Sequence, residues 1–158
     1  MATDVKISCP DGHFKYRVAG LLQRGDKYLG NIIQQNDYFC LPGGHVEIGE
    51  SLDEAIIREA SEELGFPVEV VKPLFIMENF YNKRGEKWHE VCCYYLLKSN
   101  YSPEKDWEMI ENDKGILKRQ QFKWLTKNEL KAADFRPGII KTEIDNLDKH
   151  FRVITKRY

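Results

Sequence analysis

Three glutamates, Glu59, Glu62 and Glu63, recur at offsets of three and four residues. On a helix that spacing places their carboxylates on one face. Like charges so arranged repel by some tenths of a kcal/mol per pair unless something neutralises them. A hard divalent cation such as magnesium or manganese would do so, since it prefers oxygen donors and keeps several waters. It would also hold phosphate oxygens and lower the pKa of an attacking water. A bare triple-glutamate face is, however, more often plain solvated helix surface. The residues around it decide.

Those residues are Gly44, Glu50, Arg58, Gly65 and the apolar Ala60 and Phe66 in the run GGHVEIGESLDEAIIREASEELGF, 43–66. Together they satisfy the pattern Gly-x5-Glu-x7-Arg-Glu-U-x-Glu-Glu-x-Gly-U, with U apolar, at every fixed position. With each fixed residue at a frequency of roughly 7%, seven matches in register arise by chance at about 10⁻⁶ in a chain this long. The segment therefore resembles the box of the Nudix (MutT-like) hydrolases.

The resemblance implies an α/β fold, a Nudix-type α/β/α sandwich around a mixed sheet, with the box (44–66) as a loop-helix-loop in a single domain spanning 1–158. It implies that Glu59, Glu62 and Glu63, helped by the carbonyl of Gly43, hold Mg2+ (or Mn2+). It gives Arg58 the role of orienting Glu59 and contacting Glu50, and makes Glu59, Glu62 and Arg58 the catalytic set. The reaction implied is hydrolysis of a pyrophosphate bond in a nucleoside diphosphate linked to another moiety. Chemistry agrees in part: an arginine beside a carboxylate keeps it ionised, and a fixed ligand acts without rearranging. Gly44 and Gly65 suit a positive φ or a close backbone approach at the two loop junctions.

The base that activates water has several candidates: Glu59 or Glu62 in the box, Glu90 beside His89, and Glu104, Glu108 and Glu111 in an acidic stretch. Arg17, Glu47, Tyr81 and Glu90 are expected to contact substrate, and Phe80, Tyr81 and Trp88 could stack a base. Aromatics in strands are as readily explained as core or cross-strand pairs. No proline stands at Tyr81-Asn82, where ADP-ribose hydrolases of the family typically have one, so the substrate's identity is not written here. Two other readings are a catalytically silent, nucleotide-binding regulatory module on the same fold, and an isoprenoid diphosphate isomerase using Cys40 or Cys92.

The elements that must position these groups can be read from periodicity. Phe14–Gln23 and Tyr28–Ile33 form a hairpin, and Asp37–Leu41 a short strand. Leu52, Ala55, Ile56, Ala60 and Leu64 mark a helix that Ser51 and Glu54 open with a capping box and Gly65 closes. Val68–Tyr81 and Trp88–Leu97 are strands, Ser99–Gly115 is a loop, and Leu117–Leu125 is a strand. Thr126 caps a short helix through Ala133; a last helix runs from Pro137 through Leu147, and His150–Thr155 is a final strand.

Composition sets outer bounds. The chain has 158 residues and a net charge of −1, which advertises neither a nucleic-acid surface nor an anionic membrane as partner. The partner expected is a small nucleotide-like molecule. Met1–Pro10 has no apolar run of the signal-peptide kind, and no stretch nears a membrane span. The four cysteines are irregularly spaced, and Cys92-Cys93 should point to opposite faces of a strand, so reduced cytoplasmic thiols are expected. The family resemblance allows a homodimer, though no apolar stripe demands one.

Overall fold

The computed structural model describes residues 2–34, 36–113 and 115–157, without the side chains of residues 111 and 113. Among the described residues nine strands and three helices follow one another: β1 (Lys6–Cys9), β2 (Gly12–Arg24), β3 (Lys27–Ile33), β4 (Gly43–His45), α1 (Leu52–Leu64), β5 (Glu69–Lys83), β6 (Glu86–Lys98), β7 (Trp107–Asp113), β8 (Ile116–Thr126), α2 (Lys127–Ala132), α3 (Ile140–Glu143) and β9 (Arg152–Arg157). The sheet runs β7-β8-β3-β2-β6-β5-β9, with β1 and β4 both paired to β2. It is mixed: β2 runs parallel to β6 and β5 to β9, and the remaining pairs are antiparallel.

Strand alternation sends side chains to two separate cores. Val18 and Leu22 of β2 and Cys93, Tyr95 and Leu97 of β6 pack under α1, against Ile56, Ala60 and Leu64. Ala19 and Leu21, with Cys92, Tyr94 and Leu96, pack on the other face against Leu130 of α2 and Ile140 of α3. The result is the α/β sandwich expected, helices on both faces of a mixed sheet. The run CCYYLL reads as unbroken hydrophobicity because β6 is covered on both sides. Cys92 and Cys93 fall into different cores, and all four cysteines are free. No helix among the described residues is long and apolar enough to cross a membrane.

Helix α1 forms as its termini dictate. The Ser51 hydroxyl accepts from the Glu54 N–H, and the Ser51 N–H donates to the Glu54 carboxylate at 2.8 Å. Gly65 ends it in the left-handed region at φ 81°, its N–H donating to the Ser61 carbonyl. Ile56 and Leu64 are each at most 2% exposed, and each such burial contributes about 1.5–3 kcal/mol. Thr126 and Glu129 cap α2 in the same reciprocal way.

Five elements differ from the sequence reading. Residues 37–41 make only single bridges, Cys40 to Asn31 and Phe39 to Phe135, because Pro42 has no N–H to continue a ladder. The stretch 99–115 is a loop only in part: Trp107 and Met109 pack against the α1-side core, and β7 pairs along β8. Its carboxylates disguised a strand that turns Glu108 outward onto Arg119. The last helix is a single short α3, since Ile139 supplies no capping side chain and the chain slips to i→i+3 bonds at Asp145 and Asn146. Strands β1 and β4 carry no period of their own and exist because β2 offers them an edge.

Candidate active site

The box is built by β4 and α1 meeting at the edge of β2. Gly44 pairs with Val18 and Gly43 with Ala19. A Cβ on Gly44 would lie 2.3 Å from the Glu59 carboxyl carbon, so the carboxylate rests on the glycine backbone. A Cβ on Gly43 would meet the Val18 carbonyl oxygen at 2.1 Å. Both glycines are there for close approach, whereas Gly65 is there for its positive φ.

Arg58 organises the carboxylates. Its Nε donates to Glu50 Oε1 at 2.7 Å and one terminal nitrogen to Glu50 Oε2 at 2.9 Å. That nitrogen also donates to the His45 carbonyl at 3.2 Å, tying α1 to β4. The other donates to Glu59 Oε1 at 2.8 Å and lies 3.8 Å from both Glu47 and Glu62. The Glu47 N–H donates to Glu50 Oε2 at 3.0 Å. Hydrogen bonds from Arg58 hold the Glu50 carboxyl below its ordinary range, and those to Glu50 and Glu59 keep the guanidinium charged. Glu59 responds differently. Burial pushes its pKa up, Arg58 pulls it down, Glu62 and Asp4 push up, and burial prevails. Arg58 alone does not fully offset the cost of burying that charge; a cation beside it would reverse the direction.

Glu63 Oε2 accepts from the Gly43 N–H at 3.1 Å, and Glu62 is 65% exposed at the rim. Among the described residues no three His, Cys, Asp or Glu side chains converge closely enough to hold a metal ion. The three carboxylates share a helix face, but Glu63 rests on the Gly43 N–H while Glu59 and Glu62 lie beside the same Arg58 nitrogen. Their chemistry, hard anionic oxygen with Glu59 short of charge compensation, still fits a hard divalent cation.

Arg17, Glu90, Tyr81 and Trp88 come together on the opposite face of the sheet, that of Ala19, Cys92 and Met77. Arg17 lies 3.6 Å from Glu90, and the Tyr81 and Trp88 rings stack at 6.1 Å. Burial lowers the Arg17 pKa, Glu90, Cys92, Tyr94 and Glu63 raise it, and the net direction is upward. Glu63 is thus near enough to couple the two halves of the site across β4. Arg17 Nε and Trp88 Nε1 are buried with no hydrogen-bond partner. Glu47 lies apart from this group, with Arg58.

Other candidates are placed elsewhere. His89 and Phe80 face the α1 side, away from Glu90. Glu104 is engaged by Arg24 and Glu108 by Arg119, whereas the Glu111 side chain lies outside the described residues. Burial pushes the Cys40 thiol up to about 11 and Cys92 to about 12, which leaves both protonated and poor nucleophiles. Two groups went unnoticed in the sequence. Asp4 bridges to Glu47, lies 3.8 Å from His45 and raises the Glu59 pKa. Lys15 holds its ammonium 4.4 Å from the centre of the Trp88 ring. Alternation along β2 from Arg17 points to Lys15; nothing local points to Asp4.

Fold and site together define an α/β/α sandwich carrying an arginine-braced carboxylate helix on a double-glycine strand. The NUDIX domain model matches residues 15–143. A putative mutator protein MutT4 of Mycobacterium tuberculosis is 31% identical over 88 residues, 56% of this chain and 33% of that one. An ADP-ribose pyrophosphatase of Methanocaldococcus jannaschii is 31% identical over 88 residues, 54% of this chain and 51% of its own. The chain thus spans about a third to a half of the length of these relatives. The crystal structure of a MutT protein from Bacillus halodurans superposes with TM-score 0.61 at 19% identity, covering 91% of this chain and 90% of the other, a likeness of fold. This chain belongs to the Nudix hydrolase family. Enzymes of that family generally work with divalent metal ions.

Proposed function

We propose that the protein is a magnesium-dependent pyrophosphohydrolase acting on a nucleoside diphosphate linked to another moiety, nucleoside triphosphates included. The observation that carries this reading is the Arg58 fork: it fixes Glu50 and Glu59 from α1 while Gly44 leaves room for the Glu59 carboxylate alone. A solvated acidic helix would need neither the fork nor the glycine.

Glu59, Glu62 and Glu63, with the Gly43 carbonyl, would hold Mg2+ or Mn2+, which supplies charge neutralisation at the diphosphate and a more acidic water. Arg58 keeps Glu59 aimed and offsets part of the cost of its buried charge. Glu62, the most exposed of the three, accepts the proton of the attacking water. On the opposite face Arg17 meets a phosphate oxygen, Tyr81 and Trp88 stack the base, and Glu90 accepts from its edge. The unpartnered N–H groups of Arg17 and Trp88 support a ligand rich in acceptors there. The relative named an ADP-ribose pyrophosphatase and the structure named a UDP-X diphosphatase support the same bond as target, a diphosphate flanked by a nucleoside. We place the protein in the cytoplasm, with a small molecule as its partner.

The test is release of a nucleoside monophosphate from a broad nucleotide panel, with and without magnesium. Glu62→Gln should lose two or more orders of magnitude in kcat at unchanged thermal stability, because Glu62 is largely solvent-exposed. No turnover on any substrate, or a Glu62→Gln variant as active as the parent, overturns the reading.

A further inference from the structure

On the face of the sheet that carries Arg17, strand register sets side chains out in rows that run away from the box. Arg17 stands one residue from Val18, the partner of Gly44. The next row on that face holds Lys6, Lys15 and Glu90 on β1, β2 and β6, and the row beyond it holds Trp88 and Tyr81. Lys6 and Lys15 are thus direct cross-strand neighbours of like charge, an arrangement that costs a sheet stability. The carboxylates beside these cations already have partners. Asp4 Oδ2 accepts from Lys6 Nζ at 3.3 Å, and Glu90 lies 3.6 Å from Arg17. Lys15 is left over. It forms no ion pair among the described residues, and its ammonium stands 4.4 Å from the centre of the Trp88 ring. Burial lowers the Lys15 pKa, Glu90 raises it, Arg17, Lys83 and Lys6 lower it further, and the net direction is downward. Three of those neighbours are themselves cations, so the potential around Lys15 suits an anion.

Position along β2 decides which anion. At strand rise Arg17 lies about 3 Å from the Val18–Gly44 pair, and Lys15 about 10 Å. The Lys15 side chain leans further out, toward Trp88, and Arg17 leans toward Glu90. A nucleotide with its scissile bond at the box and its base at the Tyr81–Trp88 end therefore crosses Arg17 first and Lys15 second. Its leading phosphates lie at the box and at Arg17. What it then presents to Lys15 is either a neutral sugar or a further phosphate. A sugar would leave the ammonium without a counter-charge. A phosphate would supply one and relieve the opposition of Lys6 and Lys15.

We infer that Lys15 is a specificity-determining residue that meets a third phosphate, so that the substrate is a nucleotide with three or more phosphates in line, in preference to two phosphates joining neutral sugars. Lys6 supports the contact from β1 by neutralising Asp4. The inference rests on the placement of substrate over Arg17 proposed above and names the class of substrate within it.

Two compounds separate the classes: ATP, with three phosphates in line, and ADP-ribose, with two between sugars. Turnover of both is measured on the full chain with magnesium, and binding of both by calorimetry in EDTA, where no turnover is needed. The parent should favour ATP in kcat/KM. Lys15→Gln should raise KM for ATP about fivefold at unchanged kcat, the upper end for an exposed ion pair, and leave ADP-ribose within about twofold. Lys15→Arg, which keeps the charge, should restore ATP, and the dissociation constants in EDTA should follow the same pattern. Lys98→Gln, at the far end of β6 and paired with Glu69, controls for net charge and should change neither substrate. Equal losses on both compounds overturn the inference, as does an ATP KM and Kd that Lys15→Gln does not touch. A parent that turns over ADP-ribose better than ATP overturns it too. Absence of all turnover, with ATP binding still selectively weakened by Lys15→Gln, would sink the catalytic reading alone.

Discussion

Replacing Gly44 by alanine tests the central geometric idea. The added methyl would sit 2.3 Å from both the Glu59 carboxyl carbon and Oε2, more than 1 Å inside the 3.4 Å of ordinary contact. Gly44 has an ordinary φ, so no backbone strain accompanies the change. What must yield is the end of a flexible side chain, and Glu59 has to move by about 1 Å. Overpacking costs about 1–3 kcal/mol, and the lower end applies because a carboxylate tip can swing. Against this, Gly→Ala reduces unfolded-state entropy by about 0.4–1 kcal/mol. The net stability loss should therefore stay below about 1 kcal/mol, or at most roughly 2–4 °C in Tm for a domain of this size. Activity should suffer far more, since about 1 Å of misplacement in a catalytic group costs on the order of 10²-fold. The assay is kcat on the best panel substrate, beside thermal unfolding, with Gly138→Ala as control because nothing lies within 4 Å of a Cβ there. A Gly44→Ala enzyme with parental kcat would refute the claim that Glu59 is placed by that glycine.

Arg58→Met should leave the carboxylates of Glu50 and Glu59, 13% and 18% exposed, without their cation. Breaking a buried pair costs about 3–5 kcal/mol; with Arg58 itself 25% exposed, about 2–3 is expected, read as a Tm fall of roughly 5–10 °C. Because the Glu50 pKa is depressed in the folded state, Glu50 contributes stability above its ordinary 4.5 that is lost as pH falls through the folded value. Urea midpoints should drop on acidification, and less steeply in Glu50→Gln. Glu59 has the opposite sign: its raised pKa imposes a penalty as pH rises through 4.5, and magnesium should relieve it, raising Tm more at neutral than at acid pH. A thiol-reactive dye at about pH 8 should label exposed Cys9 quickly, and Cys40, Cys92 and Cys93 only on unfolding, since burial pushes the last three up to about 11, 12 and 11. Rapid labelling of Cys92 or Cys93 in the native protein would contradict the two-core packing.

The sequence by itself determined α1 and its chemistry. Ser51, Glu54 and Gly65 end that helix by local bonds, and the offsets of Glu59, Glu62 and Glu63 follow from helical pitch, so no distant residue is needed to predict them. The long strands β2, β5 and β6 were legible for a similar reason, each burying enough apolar surface to leave a periodic trace.

Tertiary structure decided everything that depends on which strand lies beside which. β1 and β4 have too few apolar residues to announce themselves and are ordered by the edge of β2. The strand β7 was hidden under its own carboxylates until β8 gave Glu108 an arginine. Asp4 reached the box through a bridge spanning more than forty residues. His89 and Glu90, neighbours in the chain, were parted by the pleat, one to Phe80 and the other to Arg17. Local bonds fix the helix that bears the carboxylates; long-range strand pairing, to which sequence adjacency is blind, fixes the surfaces around it.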